Sequence, residues 1–217
     1  MIISIDGPAG SGKSTVAGML ARKLGFVHFN SGKLYRGITS YLIYNEFDLT
    51  NISTTTINFP IKLETKFKNG IQHVFVNGKD YTPHLYENII SVNTPLVSKN
   101  PFIRTVIDVC QREFAKNNDV VIDGRDIGSY VFPDAEVKFY LDCAIEERAR
   151  RRYEDLKGTV SLDQLIKEIE ERDNIDKTKK FAPLVVPNGA HVIDSTNLTI
   201  DEVVNKLYSI VKKSKHK

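Results

Sequence analysis

With 217 residues, 41% of them hydrophobic and 26% charged, the chain is long enough for one well-buried α/β domain with insertions and short for two full domains. A net charge of +3 is too small to argue for nucleic acid, no apolar run approaches the ~18 residues of a membrane span, and no signal peptide precedes the first apolar run. The cysteines, Cys110 and Cys143, and the five histidines show no metal or redox spacing, which fits buried thiols in a reducing cytoplasm.

The chain starts with an apolar run, residues 2–6, that reads as a buried strand. Gly7, Pro8, Ala9, Gly10, Ser11, Gly12, Lys13, Ser14 and Thr15 follow, and 16–24 repeats apolar residues at helical spacing with Gly25 as the stop. Strand, G-x-x-x-x-G-K-S, helix is the P-loop signature in the context the motif needs. The glycines let backbone N–H groups approach a phosphate chain and turn through positive φ. Helix-start N–H groups favour the anion. Lys13 offers a mobile positive charge to the β- and γ-phosphates of ATP, and Ser14 or Thr15 a hydroxyl near Mg²⁺.

Residues 26–29 read as a second strand, and Ser31 as the N-cap of a helix with Leu34, Ile38, Tyr41 and Leu42 at helical spacing. That puts Ser31 and Arg36 at the ligand edge of an open α/β sheet. From about residue 51 the period changes. Residues 61–68 and 71–76 alternate, with Asn69-Gly70 and Asn77-Gly78 as hairpin turns. A small antiparallel insert of about three strands is expected, too small to stand alone and suited to a substrate-holding flap.

Helical signals return after Pro83 and again from Pro101, where Phe102, Ile103, Val106, Val109, Cys110 and Phe114 form the expected apolar stripe with Arg104 and Arg112 off it. Residues 119–123 make an apolar strand ending in Asp123, a Walker B pattern whose acid helps hold the Mg²⁺ hydration shell. Arg125 and Asp126 follow at the ligand edge. Residues 137–142 form the fourth strand, and 145–156 a helix carrying Arg148, Arg150, Arg151 and Arg152, a density of planar cations suited to phosphates. A helix over 162–172 begins in a Ser161–Gln164 capping box and ends in a charge cluster through 180. Residues 183–185 with 190–194 make the last strand, and 200–211 a closing helix. The tail, 212–217, reads as a frayed end without a nucleic-acid role. The alternation predicts a five-stranded parallel sheet with helices on both faces.

Together these segments carry a resemblance. IDGPAGSGKST, SGKLYR, FIR…QREF, VIDGRDIG, VFPDAEVKFYLDC, EERARRR, ERDNID and APL with VIDST, in that order, resemble the bacterial cytidylate kinases, nucleoside monophosphate kinases of the P-loop NTPase type, along nearly the full chain. The resemblance implies one P-loop kinase domain, 1–217, with an inserted monophosphate-binding region, 59–99, and a helical lid, 145–160. It implies that residues 7–15 hold the ATP phosphates, and that Lys13, Arg125, Arg148, Arg151 and Arg152 serve phosphoryl transfer. Ser31, Arg36, Arg104, Asp126, Arg172 and Asp176 would bind the acceptor, with Lys179 where relatives carry a pyrimidine-contacting arginine. Ser14 and Asp123 would face Mg²⁺.

Three positions depart from the family pattern: Asn30 replaces an acid, Pro95 a base-contacting serine, and Lys179 that arginine. The expected reaction is γ-phosphoryl transfer from ATP to CMP or dCMP by a cytoplasmic monomer, without nucleic-acid or membrane partners. A shikimate-type kinase is disfavoured by the insert and the R-D-x-x-D segment. A GTPase switch would need an N/T-K-x-D motif, and none occurs. A non-catalytic nucleotide-binding regulator is the third alternative, separable only by assay.

Overall fold

The computed structural model describes residues 1–52, 57, 59–157 and 159–214. In chain order the elements are β1 (Ile2–Asp6), α1 (Lys13–Leu24), β2 (Val27–Asn30), α2 (Ser31–Tyr44), β3 (Leu63–Lys68), β4 (Ile71–Val76), β5 (Lys79–Asp80), α3 (Asn88–Val97) and α4 (Pro101–Lys116). They continue with β6 (Val120–Asp123), β7 (Val137–Asp142), α5 (Ile145–Asp155), α6 (Leu162–Thr178), β8 (His191–Asp194) and α7 (Ile200–Ser214). The chain divides into two compact units, 1–28 with 118–217, and 29–117. The expected insert, 59–99, falls within the second.

The first unit is built on a five-stranded sheet in the order β2-β6-β1-β7-β8. β1 pairs in parallel with β6 and β7, and β7 with β8. All four residues of β6 are buried, as expected of a parallel strand covered on both faces, which is why it reads as an unbroken apolar run. Ile3, Ile5, Phe139 and Leu141 meet Leu20 of α1 and Leu207 of α7 in one core. Ala149 of α5 packs with Leu165 and Ile169 of α6 in another.

The second unit carries the antiparallel sheet β3-β4-β5. Both Asn-Gly pairs adopt positive φ, 51° and 75° at Asn69 and Gly70, 49° and 82° at Asn77 and Gly78, as the tight hairpin turn requires. α2 approaches β4 so closely that a Cβ on Gly37 would stand 2.4 Å from Val74 Cγ1. Phe29, Phe67 and Phe114 cluster, with ring centroids 5.1 to 6.3 Å apart.

Four sequence expectations need correction, and one stretch without an expectation takes a defined form. Residues 183–185 form no strand, and β8 is His191–Asp194 alone. α6 runs on through the charge cluster to Thr178, because its charged residues find partners on the same unit. The N-cap of α2 is Asn30, whose Oδ1 accepts from Lys33 N at 3.0 Å, so Ser31 is already inside the helix. Residues 127–131, unassigned in the sequence, make a single π-helical turn. The buried row of α4 is not the expected stripe: Ile103, Ile107, Arg104, Asp108 and Gln111 face inward, while Phe102 and Val109 are exposed. Positions 104, 108 and 111 share one helix face with the isoleucines, and polarity alone misassigned them. Residues 215–217 of the tail and Gly158 of the expected lid lie outside the described residues.

Candidate active site

On the first unit, β1 ends at Asp6 and the backbone turns at once through Gly7. Its φ is 150°, and a Cβ there would stand 2.1 Å from Leu141 O, so no other residue fits. Gly12 caps α1 at φ 84° without any side-chain hydrogen bond, and the first turn of α1 carries no acid. The helix start therefore presents N–H groups and positive dipole, a setting that favours an anion. Lys13 Nζ curls back over this loop, donating to Pro8 O at 2.5 Å and Ser11 Oγ at 3.2 Å. Burial, then the charge of Arg125, holds its ammonium pKa well below the usual lysine value, against the pull of Asp123, Asp176 and Asp6.

Asp123 ends β6 beside the loop. Ser14 Oγ donates to its Oδ2 at 2.5 Å, and His28 Nε2 lies 2.7 Å from its Oδ1. Lys13, Ser14 and Asp123 thus stand together, as the P-loop and Walker B patterns required. Just beyond, Asp6 accepts from the backbone N–H groups of Ile127 (2.8 Å) and Gly128 (2.7 Å). This pins the turn carrying Arg125 and Asp126. A Cβ on Gly128 would meet Ser4 Oγ at 2.5 Å, so the grip needs glycine there. Burial raises the Asp6 carboxyl to about 7, with Asp126 adding to the rise and the two N–H groups and Lys13 opposing it.

The C-terminal turns of α6 face the same loops. Arg125 Nε donates to Asp176 Oδ2 at 2.8 Å, and Lys179 Nζ lies 3.4 Å from Asp126 Oδ2. Burial pushes the Asp176 carboxyl up, but Arg125, then Arg172 and Lys179, outweigh it and hold it below the ordinary carboxylate value.

The arginines of α5 are not equivalent. Arg148 is buried against Asp173 and the P-loop backbone. Arg151 donates to Glu147 and to Ser195 O, and its Nη1 would lie 3.8 Å from a Cβ on Gly12. Arg152 pairs with Glu168 at 3.3 Å on the surface, and Arg150 with Glu147 and Glu154.

On the second unit, Arg36 Nη1 donates to Leu85 O (2.8 Å) and Ser91 Oγ (2.7 Å), with the guanidinium over the Tyr86 ring. Burial lowers the Arg36 pKa, and Tyr86 opposes this. Arg104 is buried, 6.0 Å from the centroid of Tyr35, and Ser31 is buried at the start of α2. Pro95 sits inside α3. Sequence reasoning missed Asp6, His28 and Asp173. Asp6 closes the apolar run of β1, and its place directly before the P-loop was the available signal.

The model of the cytidylate kinase family matches residues 3–213. The chain belongs to the cytidylate kinase family. It is 42% identical to the cytidylate kinase of Caldanaerobacter subterraneus subsp. tengcongensis, over 98% of this chain and 95% of that protein. It is 41% identical to that of Ligilactobacillus salivarius, over 99% of this chain and 97% of that protein. Membership makes this cytidylate kinase relative a nucleoside monophosphate kinase, a transferase. Solved structures at low identity share the fold alone. A shikimate kinase from Bacteroides thetaiotaomicron superposes with a TM-score of 0.51 at 14% identity, over 98% of each chain. An uncharacterized protein from Eubacterium ventriosum gives 0.53 at 12% identity, also over 98% of each chain. Among the described residues no helix is long and apolar enough to cross a membrane.

Proposed function

We propose that the chain transfers the γ-phosphoryl group of ATP to the 5′-phosphate of CMP or dCMP, giving ADP and CDP or dCDP, and that the site residues act as follows. The observation that carries this reading is the meeting of Lys13, Ser14 and Asp123 at the P-loop of a cytidylate kinase family chain.

The acceptor phosphate is already an anionic nucleophile, so the protein has no proton to abstract. Catalysis is in-line positioning plus neutralisation of charge on the group in flight. The N–H groups and dipole at the start of α1 would hold the donor phosphates. Lys13 would exchange the Pro8 carbonyl for a phosphate oxygen. That anion restores the compensation its buried ammonium lacks, so donor binding and lysine charging support each other. Arg151, against Gly12, and Arg125 supply further positive charge. Arg152, also on the 145–160 lid, belongs to the same role.

Mg²⁺ is part of this reading. A hydroxyl and a carboxylate within 2.5 Å of each other are hard oxygen donors of the kind that ion takes, and His28 on the other carboxylate oxygen orients Asp123. When bound, the ion neutralises charge on the β- and γ-phosphates.

Ser31, Arg36, Arg104, Asp126, Arg172 and Asp176 are assigned to the acceptor, through its phosphate, base and sugar, with Lys179 at the pyrimidine. The setting is the cytoplasm, with the chain a monomer acting on small nucleotides. A coupled ADP-release assay across CMP, dCMP, UMP, AMP, GMP and shikimate tests the reading. Turnover is expected with CMP and dCMP. Turnover with shikimate alone, or with none of the acceptors, would overturn it.

A further inference from the structure

Arg148 and Asp173 form a buried ion pair, Nη1 to Oδ2 at 2.7 Å, closed around a single P-loop residue. Asp173 Oδ1 accepts the N–H of Ala9 at 3.2 Å, and Arg148 Nη1 donates to the carbonyl of Ala9 at 3.0 Å. Arg148 Nε is anchored on Cys143 O at 2.9 Å, and its Cβ would stand 3.4 Å from a Cβ on Gly10. Both polar groups of Ala9 are therefore spent on this pair. The peptide unit is planar and trans, so holding the Ala9 carbonyl toward Arg148 aims the Gly10 N–H the opposite way. The pair decides which backbone donors the P-loop can offer: the Ala9 N–H is withdrawn, and the Gly10 N–H is directed.

Asp173 also belongs to a helix end that grips the neighbouring turn. Asp176, one turn on, holds Arg125, and Lys179 holds Asp126. The last turns of α6 thus tie Ala9 of the donor loop to the segment assigned to the acceptor.

We propose that Arg148 and Asp173 are positioning residues, presetting the P-loop for the donor phosphates, and that Asp173 couples donor binding to acceptor binding through α6. The proposal rests on the assignment of the P-loop to ATP and of Arg172 and Asp176 to the acceptor. It gives Arg148 a role through Ala9 rather than by touching the transferred group. Replacing either member by alanine would strand a buried charge and endanger folding. The informative variants are Arg148→Lys, which keeps the charge and loses the fork, and Asp173→Asn, which keeps an acceptor for Ala9 N–H and loses the charge.

The experiment is calorimetry with a non-hydrolysable ATP analogue and with CMP, each alone and with the other present, beside melting temperature and steady-state kinetics. Both variants should bind the analogue about tenfold more weakly, the scale of one charge-assisted hydrogen bond. The KM for ATP should rise, and CMP affinity measured alone should be unchanged. In Asp173→Asn the ratio of CMP affinities with and without the analogue should fall toward one. Wild-type analogue affinity in both variants, with only the melting temperature lowered, overturns the proposal. So does loss of kcat in Arg148→Lys with analogue affinity intact, which is the behaviour of a group touching the reacting phosphate. Wild-type protein that binds neither nucleotide overturns the functional reading first, and this proposal with it.

Discussion

Ser14 donates its hydroxyl to Asp123 across 109 positions of sequence, at 2.5 Å, and so joins the start of α1 to the end of β6. Neighbouring parallel strands β1 and β6 make this possible: in register, Ile5 stands beside Asp123, and the P-loop leaves β1 one residue later. Lys13, adjacent to Ser14, is thereby held in the same corner.

Lys13→Ala is expected to lower kcat by at least ~10³, the scale of losing one preorganised charge stabiliser, with the fold intact. Circular dichroism and steady-state turnover check it. Near-normal turnover in a folded variant would show that the lysine is not the phosphate-neutralising group.

Asp6 predicts a pH dependence of stability. Its folded pKa, about 7, lies above the unfolded value near 3.8, so the folded state binds its proton more tightly. Its contribution is full below about pH 4 and is lost as pH rises toward 7. The stability difference between wild type and Asp6→Asn should therefore fall with pH in that window, by at most about 1.4 kcal/mol per unit, and level off above it. Denaturant titrations from pH 4 to pH 8 measure this. A difference independent of pH would mean that Asp6 does not titrate there.

Arg36→Ala should raise KM for CMP or lower kcat/KM for CMP, leaving ATP-analogue affinity nearly unchanged. Leu85 O and Ser91 Oγ lose their donor, so a small drop in melting temperature should accompany it. Equal losses of CMP and ATP-analogue affinity in calorimetry would argue against separate sites.

Base choice should follow Asp126. A carboxylate only accepts, so it suits the cytosine amino group and repels the uracil C4 oxygen. Lys179 sits against that carboxylate, a point charge where relatives carry a planar fork, and Pro95 has no hydroxyl to add. CMP and dCMP should be good acceptors and UMP a poor one, by a modest ratio of kcat/KM that Asp126→Asn narrows. A ratio unchanged in that variant would remove Asp126 as the base reader.

What the sequence determined by itself is short-range. The P-loop turn, the Asn-Gly hairpins and the apolar strands β1, β6 and β7 were legible because each depends on a φ preference or an apolar run within a few residues. Lys13 and Ser14, at a helix start just after a glycine, and Asp123, at a strand end just before one, were legible for the same reason. What the tertiary structure decided is where buried charge goes. Arg104 and Asp108 turn inward on α4 against their polarity, and α6 continues to Thr178 through a run of charges. Asp173 reaches Ala9 across 164 positions, and Asp6 reaches Gly128 across 122. A buried ionic or polar side chain is tolerated only when its partner arrives, and the partner here comes from a distant element that no local pattern names.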